Sequence, residues 1–232
     1  MQFVRRESEL TDYHTHKKGN AMNYKEFKEK WGVHITTGHT GKMEGINSLS
    51  TSVLVNPICR KRAEDPTSIC SKCFAEKIAN ARKELRGCLA KNTEVLTSQI
   101  IPVKEWPVLN ASIFRLESFG DLNNGTQFKN YINFAKRNPR TTFALWTKNT
   151  HIVDAVLSEG TKKPRNMIII MSSPHLNRVM IPRYEWIDKV FTVYDKEHAA
   201  GVEINCGARD CLTCQRCYTK TRKVEYIREL LK

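Results

Sequence analysis

An α/β fold built on parallel strands is what this sequence predicts, and three observations predict it. Short apolar or β-branched runs alternate along the chain with segments of helical periodicity, the order that yields strand–helix–strand units. One run, 167–171, is apolar at every position, as a strand covered on both faces is. Each predicted strand also ends in polar or hydroxyl residues, which a parallel sheet collects at its C-terminal edge. The expected architecture is a single domain, a partial (β/α) barrel of the TIM type carrying a cysteine-rich C-terminal loop.

The elements follow in order. Residues 1–22 are polar, with His14 and His16 among them, and read as an extension ahead of the fold rather than as a metal site. Asn23 is placed to cap a short helix whose face is marked by Tyr24, Phe27 and Trp31 and which Gly32 ends. The stretch from Gly38 to Met43 is not a phosphate loop, because its glycine spacing fails and Met43 stands where Ser or Thr is required. Residues 51–55 are β-branched and closed by Asn56-Pro57, which predicts the first strand. The loop after it holds Cys59, Cys70 and Cys73. Next, Phe74, Ile78, Ala81, Leu85 and Cys88 step by four, three, four and three, the stripe of one continuous helix. On such a helix Cys88 lies about 22 Å from Cys73 at 1.5 Å per residue, so Cys88 is expected in the core and not among the metal ligands.

Strands are predicted at 111–117, 141–146, 167–171 and 190–194. Helices are predicted at 126–137, 149–158 and 221–231, the last closing the fold with Val224, Ile227 and Leu231 inward. The α/β body is thus expected over 33–200, with 201–232 as a metal-binding segment and closing helix.

Composition narrows the function classes. With 40% hydrophobic and 27% charged residues, the chain can bury a core without cross-links. It contains no run of eighteen apolar residues, so no membrane span is expected. The N-terminus lacks the apolar core of an export signal, and a cytoplasmic location is expected. A net charge of +14 makes nucleic acid an expected class of partner.

The eight cysteines carry the strongest chemical signal. Cys206, Cys211, Cys214 and Cys217 fall within twelve residues, spaced by four, two and two. A disulfide scaffold does not suit a chain of this length in a reducing compartment. A zinc ribbon joins two nearby Cys-x2-Cys knuckles, whereas Cys73 and Cys211 are 138 residues apart. Three thiolates from one tight loop, Cys211-x2-Cys214-x2-Cys217, suit a cubane whose irons each take one thiolate. The expected cofactor is one or two 4Fe-4S clusters, held by Cys59, Cys70 and Cys73 and by the Cys206–Cys217 group, with zinc as the alternative metal.

Alternation along 111–117 puts Arg115 and Glu117 on one face. Ser118 and Asp121 follow, and the other strands end in Thr147-Lys148, Ser172 and Asp195. Both cysteine groups follow strands too, so thiols and polar residues are expected on one shared rim. Glu117, Asp121 and Lys148 are the catalytic candidates; Arg115, Ser118, Thr147, Ser172 and Asp195 are candidates for cofactor contacts. Buried, Glu117 would need Arg115 or Lys148 as a cationic partner.

The order Asn47-Ser48-Leu49-Ser50, then Cys59/Cys70/Cys73-Phe74-Ala75, Phe114 to Asp121, Trp146-Thr147-Lys148 and Cys211-x2-Cys214-x2-Cys217-Tyr218 resembles the "gene product 88" family of bacteriophage and prophage proteins over roughly 35–230. That resemblance implies a phage or prophage origin and cysteine-bound metal. The loop ending Cys70-Ser71-Lys72-Cys73-Phe74 also resembles that of radical SAM enzymes, although ten residues separate Cys59 from Cys70 and no Gly-Gly-Glu segment is present. This second resemblance implies S-adenosylmethionine at an open iron, with Glu117 near its amine, and an electron donor such as flavodoxin or ferredoxin. The leading expectation is therefore a redox or radical-SAM-like iron–sulfur enzyme. The competing one is a non-catalytic nucleic-acid-binding protein with a structural iron–sulfur or zinc site.

Overall fold

The computed structural model describes residues 22–231; the polar arm with His14 and His16 lies outside them. Six strands form one sheet: β1 (Asn47–Leu49), β2 (Ile113–Leu116), β3 (Thr142–Thr147), β4 (Met167–Ser172), β5 (Lys189–Tyr194) and β6 (Glu225–Leu230). All neighbours pair in parallel, and spatial order equals chain order, with β1 and β6 at the edges. Six parallel strands alternating with helices in one open sheet make this an α/β fold, with the strand order that a (β/α) barrel also has. Among the described residues no helix is long and apolar enough to cross a membrane.

The helices are α1 (Tyr24–Trp31), α2 (Pro57–Ala63), α3 (Phe74–Ala81), α4 (Lys83–Ser98), α5 (Gly125–Arg137), α6 (Thr150–Ser158) and the single turn α7 (Cys211–Cys214). Asn23 and Glu26 form a reciprocal capping box on α1, and Gly32 ends it at φ +68°, a value glycine adopts without penalty.

Strand alternation sorts the core into two faces. Phe114, Leu116, Phe143, Leu145, Met167 and Ile169 pack with Phe128 and Phe134 of α5 and Leu96 of α4 into the main core. The residues between them, Ile113, Ala144, Trp146, Ile168 and Ile170, form a second cluster with Ile46 and Tyr218, and Cys211 and Cys217 pack against it. Helices therefore cover one face of the sheet, and the cysteine-rich segment covers the other.

Three expectations are corrected. Residues 51–55 are not a strand but an irregular segment with a turn at 53–55, and the first strand is Asn47–Leu49. The amide of Thr51 goes to Glu117 Oε2 and that of Ser52 to Thr93 Oγ1, not to a neighbouring strand. The stripe from Phe74 to Cys88 is not one helix: Arg82, at φ −124° and ψ +95°, divides α3 from α4. Phe74 is consequently 61% exposed and Cys88 only half-buried, while Ala75, Ala79 and Leu89 turn inward. The expected closing helix at 221–231 is the strand β6, paired with β5 over all six residues. The free edge of β5 satisfies that backbone as a ladder, and a tertiary partner of this kind overrides helical spacing.

Candidate functional site

The upstream thiols sit where α2 and α3 begin. Asn56 accepts from the amides of Ile58 and Cys59 at 2.9 and 3.2 Å, with Pro57 in the first turn of α2. Ser68 caps the 3-10 turn Ile69–Lys72 through Cys70, and the Ile69 amide donates to Pro174 O at 2.8 Å beyond β4. Cys73 is the N-cap of α3. The three thiols line one cavity of about 90 Å³ together with Val53, Leu54, Arg60, Ala63 and Glu76. Burial, and then the charge of Asp121, push the Cys59 thiol well above its ordinary range.

The polar residues beside this cavity are engaged with one another. Glu117 leaves β2 at φ +58°, which ends the alternation and turns its carboxylate to the helical side. There, 2% exposed, it accepts from Thr51 N (3.1 Å), Thr51 Oγ1 (3.0 Å), Gln127 Nε2 (2.6 Å) and the Tyr131 hydroxyl. Burial raises it to about 7 against the pull of the Tyr131 and Thr51 hydrogen bonds. Its partners are thus neutral donors, not Arg115 or Lys148, and Arg115 does not share its face. Asp121 accepts from Thr147 Oγ1 (2.5 Å), Lys148 N (3.0 Å) and Leu122 N (2.8 Å) and pairs with Arg62 at 3.5 Å, tying the ends of β2 and β3 to α2. Ser118 bonds Ser50 (2.8 Å) and Ser48 (3.1 Å), and His39 Nε2 reaches Ser48 Oγ at 2.7 Å.

Glu117, Ser118, Asp121, Thr147 and Lys148 are therefore brought together at the ends of β2 and β3, and the charges of Asp121, Lys148 and Glu117 all act on Cys59. Ser172 is buried at the end of β4 beside Phe191. Asp195 closes the turn after β5 by accepting from Asn177 Nδ2 (2.7 Å) and pairing with His198 (2.8 Å).

The downstream thiols lie over the opposite face of the sheet, not on the same rim. Asp210 caps α7 through Thr213, and Gln215 at φ +47° reverses the chain into the 3-10 turn Arg216–Tyr218. Tyr218 meets Trp146 edge-on at 6.0 Å. Cys206 is held to β6 by its amide on Arg228 O (3.0 Å), with Lys42 Nζ 3.3 Å from its sulfur and 3.1 Å from Glu229. The Arg115 guanidinium stacks on Trp146 at 3.9 Å. Among the described residues its Nε has no hydrogen-bond partner, and the buried Tyr218 hydroxyl lies against the guanidinium. Lys189, fully buried, pairs with Glu225, which also holds Arg216 at 2.7 Å. Burial pushes Cys217 up to about 12 against the opposing charge of Arg115. Cys206, Cys211 and Cys217 lie close enough to act on one another's charge, and Cys214 acts on Cys206 and Cys211.

Among the described residues, no three Cys, His, Asp or Glu side chains converge as a ready-formed metal site. The thiols are gathered into two groups but not drawn to a common point. Sequence reading missed Tyr131, Gln127, Lys42 and Lys189; of these only Lys189 left a trace, as a lysine opening an otherwise apolar strand.

Cys88 lies on α4, near enough to Tyr24 of α1 for its charge to act on that hydroxyl. Cys88→Ala should leave metal content unchanged and cost ~1 kcal/mol or less for a small, half-buried side chain. Metal analysis beside a urea melt checks this, and lost metal would make Cys88 a ligand.

The family model described as Gene product 88 matches residues 15–228 of the chain. No curated protein and no solved structure matches it.

Proposed function

The chain belongs to the Gene product 88 family, and from that premise and the placement of its thiols we propose that it is an iron–sulfur protein with two distinct sites. The observation that carries the reading is three thiols on one small cavity beside the C-terminal ends of parallel strands, the edge at which such folds place their chemistry. Cys59, Cys70 and Cys73 would hold a cluster there, which would supply electron transfer and a position for a small molecule. Asp121 with Arg62, and Glu117 with Thr51, fix the loop and α2 around it. Lys148 contributes positive charge. Glu117, whose four donors are all internal, serves the rim as a strut. The resemblance to radical SAM enzymes makes S-adenosylmethionine the small molecule to titrate first.

The four downstream thiols suit a closed site with no exchangeable position. A 4Fe-4S core of charge 2+ with four thiolates carries a net charge of about −2. Arg115 would offset it directly, while Lys42 and Lys189 are already paired with Glu229 and Glu225. The buried Arg115 Nε, without a partner among the described residues, is a donor that a thiolate or cluster sulfide would satisfy. Four thiols also complete a tetrahedral zinc site, so the test is metal identity. Protein purified without oxygen should be brown, with broad absorption near about 400 nm and iron and sulfide in equal amounts. Colourless protein carrying stoichiometric zinc would end the iron–sulfur reading.

A further inference from the structure

The surface around the upstream thiols is both aromatic and cationic, and we propose that it binds single-stranded nucleic acid. Phe74, directly after Cys73, is 61% exposed and stands against Phe119 with ring centroids 6.0 Å apart. Phe119 follows Ser118 at the end of β2. Val55, 52% exposed, lies in the turn before α2. Phe119 is half-buried, so the face open to water is that of Phe74, and an aromatic ring exposed there beside a cavity is placed to be stacked upon.

Cations frame the pair. Arg60 and Lys61 are exposed on α2, and Lys72 is exposed next to Cys73. Lys77, also exposed, falls one helical turn beyond Phe74 on the same side of α3. Residues 57–86 hold eight Lys and Arg against four Asp and Glu, so Glu64, Asp65, Glu76 and Glu84 leave the segment positive. Stacking platforms among backbone-tracking cations are how unpaired strands are gripped without sequence preference. A duplex presents its phosphates but not its base faces, which is why a single strand is the better fit. The inference rests on the preceding reading only in taking these thiols as the site, and it does not require the metal to be iron.

The test is fluorescence anisotropy with a short fluorescein-labelled oligothymidylate, repeated with oligouridylate and a duplex of equal length, on protein whose metal content is measured in the same sample. Single strands should bind in preference to the duplex. Affinity should fall on the order of tenfold or more between about 50 and 200 mM salt, as expected for roughly three phosphate contacts. Phe74→Ala should weaken binding about tenfold, the loss of one stacking contact, with metal content and melting temperature unchanged, and Phe74→Trp should retain it. No binding at low salt, equal affinity for the duplex, or a Phe74→Ala protein that binds like the parent overturns the proposal. So does a surface that takes an acidic protein such as flavodoxin in a Phe74-dependent way while ignoring the oligonucleotide. Brown protein that ignores the probe defeats this inference alone, and zinc protein that binds it defeats only the iron–sulfur reading.

Discussion

Glu117→Ala should destabilise the fold by roughly 2–6 kcal/mol, because it strands two buried donors at once, each worth roughly 1–3 kcal/mol when left unsatisfied. Those donors are the Thr51 amide and the Tyr131 hydroxyl, from the loop after β1 and from α5, whereas Thr51 Oγ1 retains Asp121 O and Gln127 Nε2 retains the Tyr131 and Thr51 oxygens. Glu117→Gln preserves the shape but replaces one acceptor oxygen by a donating amide, so it should recover only the bonds made to the oxygen that remains. It should also alter the pH dependence in a defined direction. Glu117 sits at about 7 in the folded chain and at about 4.3 when unfolded. The folded state thus binds the extra proton between those values. Its stabilisation is complete below the unfolded pKa and is lost as pH rises through about 7. From about pH 5 to pH 8 the wild type should lose roughly 2–3 kcal/mol that Glu117→Gln does not lose. Urea midpoints of both proteins at the two pH values decide the matter, and parallel curves would locate the titration elsewhere. Gly120→Ala probes the same knot sterically: a Cβ there would lie 2.6 Å from Thr51 O and would also strike Glu117 Oε2. A backbone carbonyl cannot retreat as a side-chain end can, so a destabilisation of similar severity is expected.

Cys217→Ala should strip the downstream site of its metal altogether while the Cys59 site keeps its share. Cys217 and Tyr218 pack against the cluster around Trp146 and Ile170, so lost coordination should also loosen the cover of that sheet face, because metal binding and local folding are linked. Metal per chain after desalting reads the first effect, and binding of a hydrophobic dye reads the second. Retention of the full complement would remove Cys217 from the ligand set. Loss of all metal would mean one site shared by both groups. Arg115→Met grades the same chemistry. It should lower metal retention against a chelator roughly 10–100-fold, the scale of an outer contact, with little change in the urea midpoint. Arg115→Lys should recover part of that by restoring charge without the plane that stacks on Trp146.

Much of the architecture was legible because its signals are local. Asn23 and Gly32 bracket α1 by capping chemistry that needs no tertiary partner. The apolar run at 167–171 is β4, and the helix expected at 126–137 is α5 within one residue. The grouping of thiols was equally plain, since Cys211, Cys214 and Cys217 are confined by their spacing to one loop. The misreadings share a cause. The stripe from Phe74 to Cys88 keeps helical spacing through Arg82 although the backbone there is extended, because periodicity reports side-chain type and not backbone continuity. Segment 221–231 offered Val224, Ile227 and Leu231 to either element, and the open edge of β5 chose the strand.

By itself, then, the sequence determined a parallel α/β sheet, the helices α1, α5 and α6, and two separate groups of thiols. Only the tertiary structure decided which face each functional side chain serves. Alternation assigns Arg115 and Glu117 to one side, yet a single residue at φ +58° sends the carboxylate to Tyr131 and leaves the guanidinium over Trp146. It likewise decided that the downstream thiols lie across the sheet face and not on the rim, because helices occupy the other face and this one needs an apolar cover. Such choices turn on one dihedral angle and on which surface is left unburied, and neither is a property of any local stretch of chain.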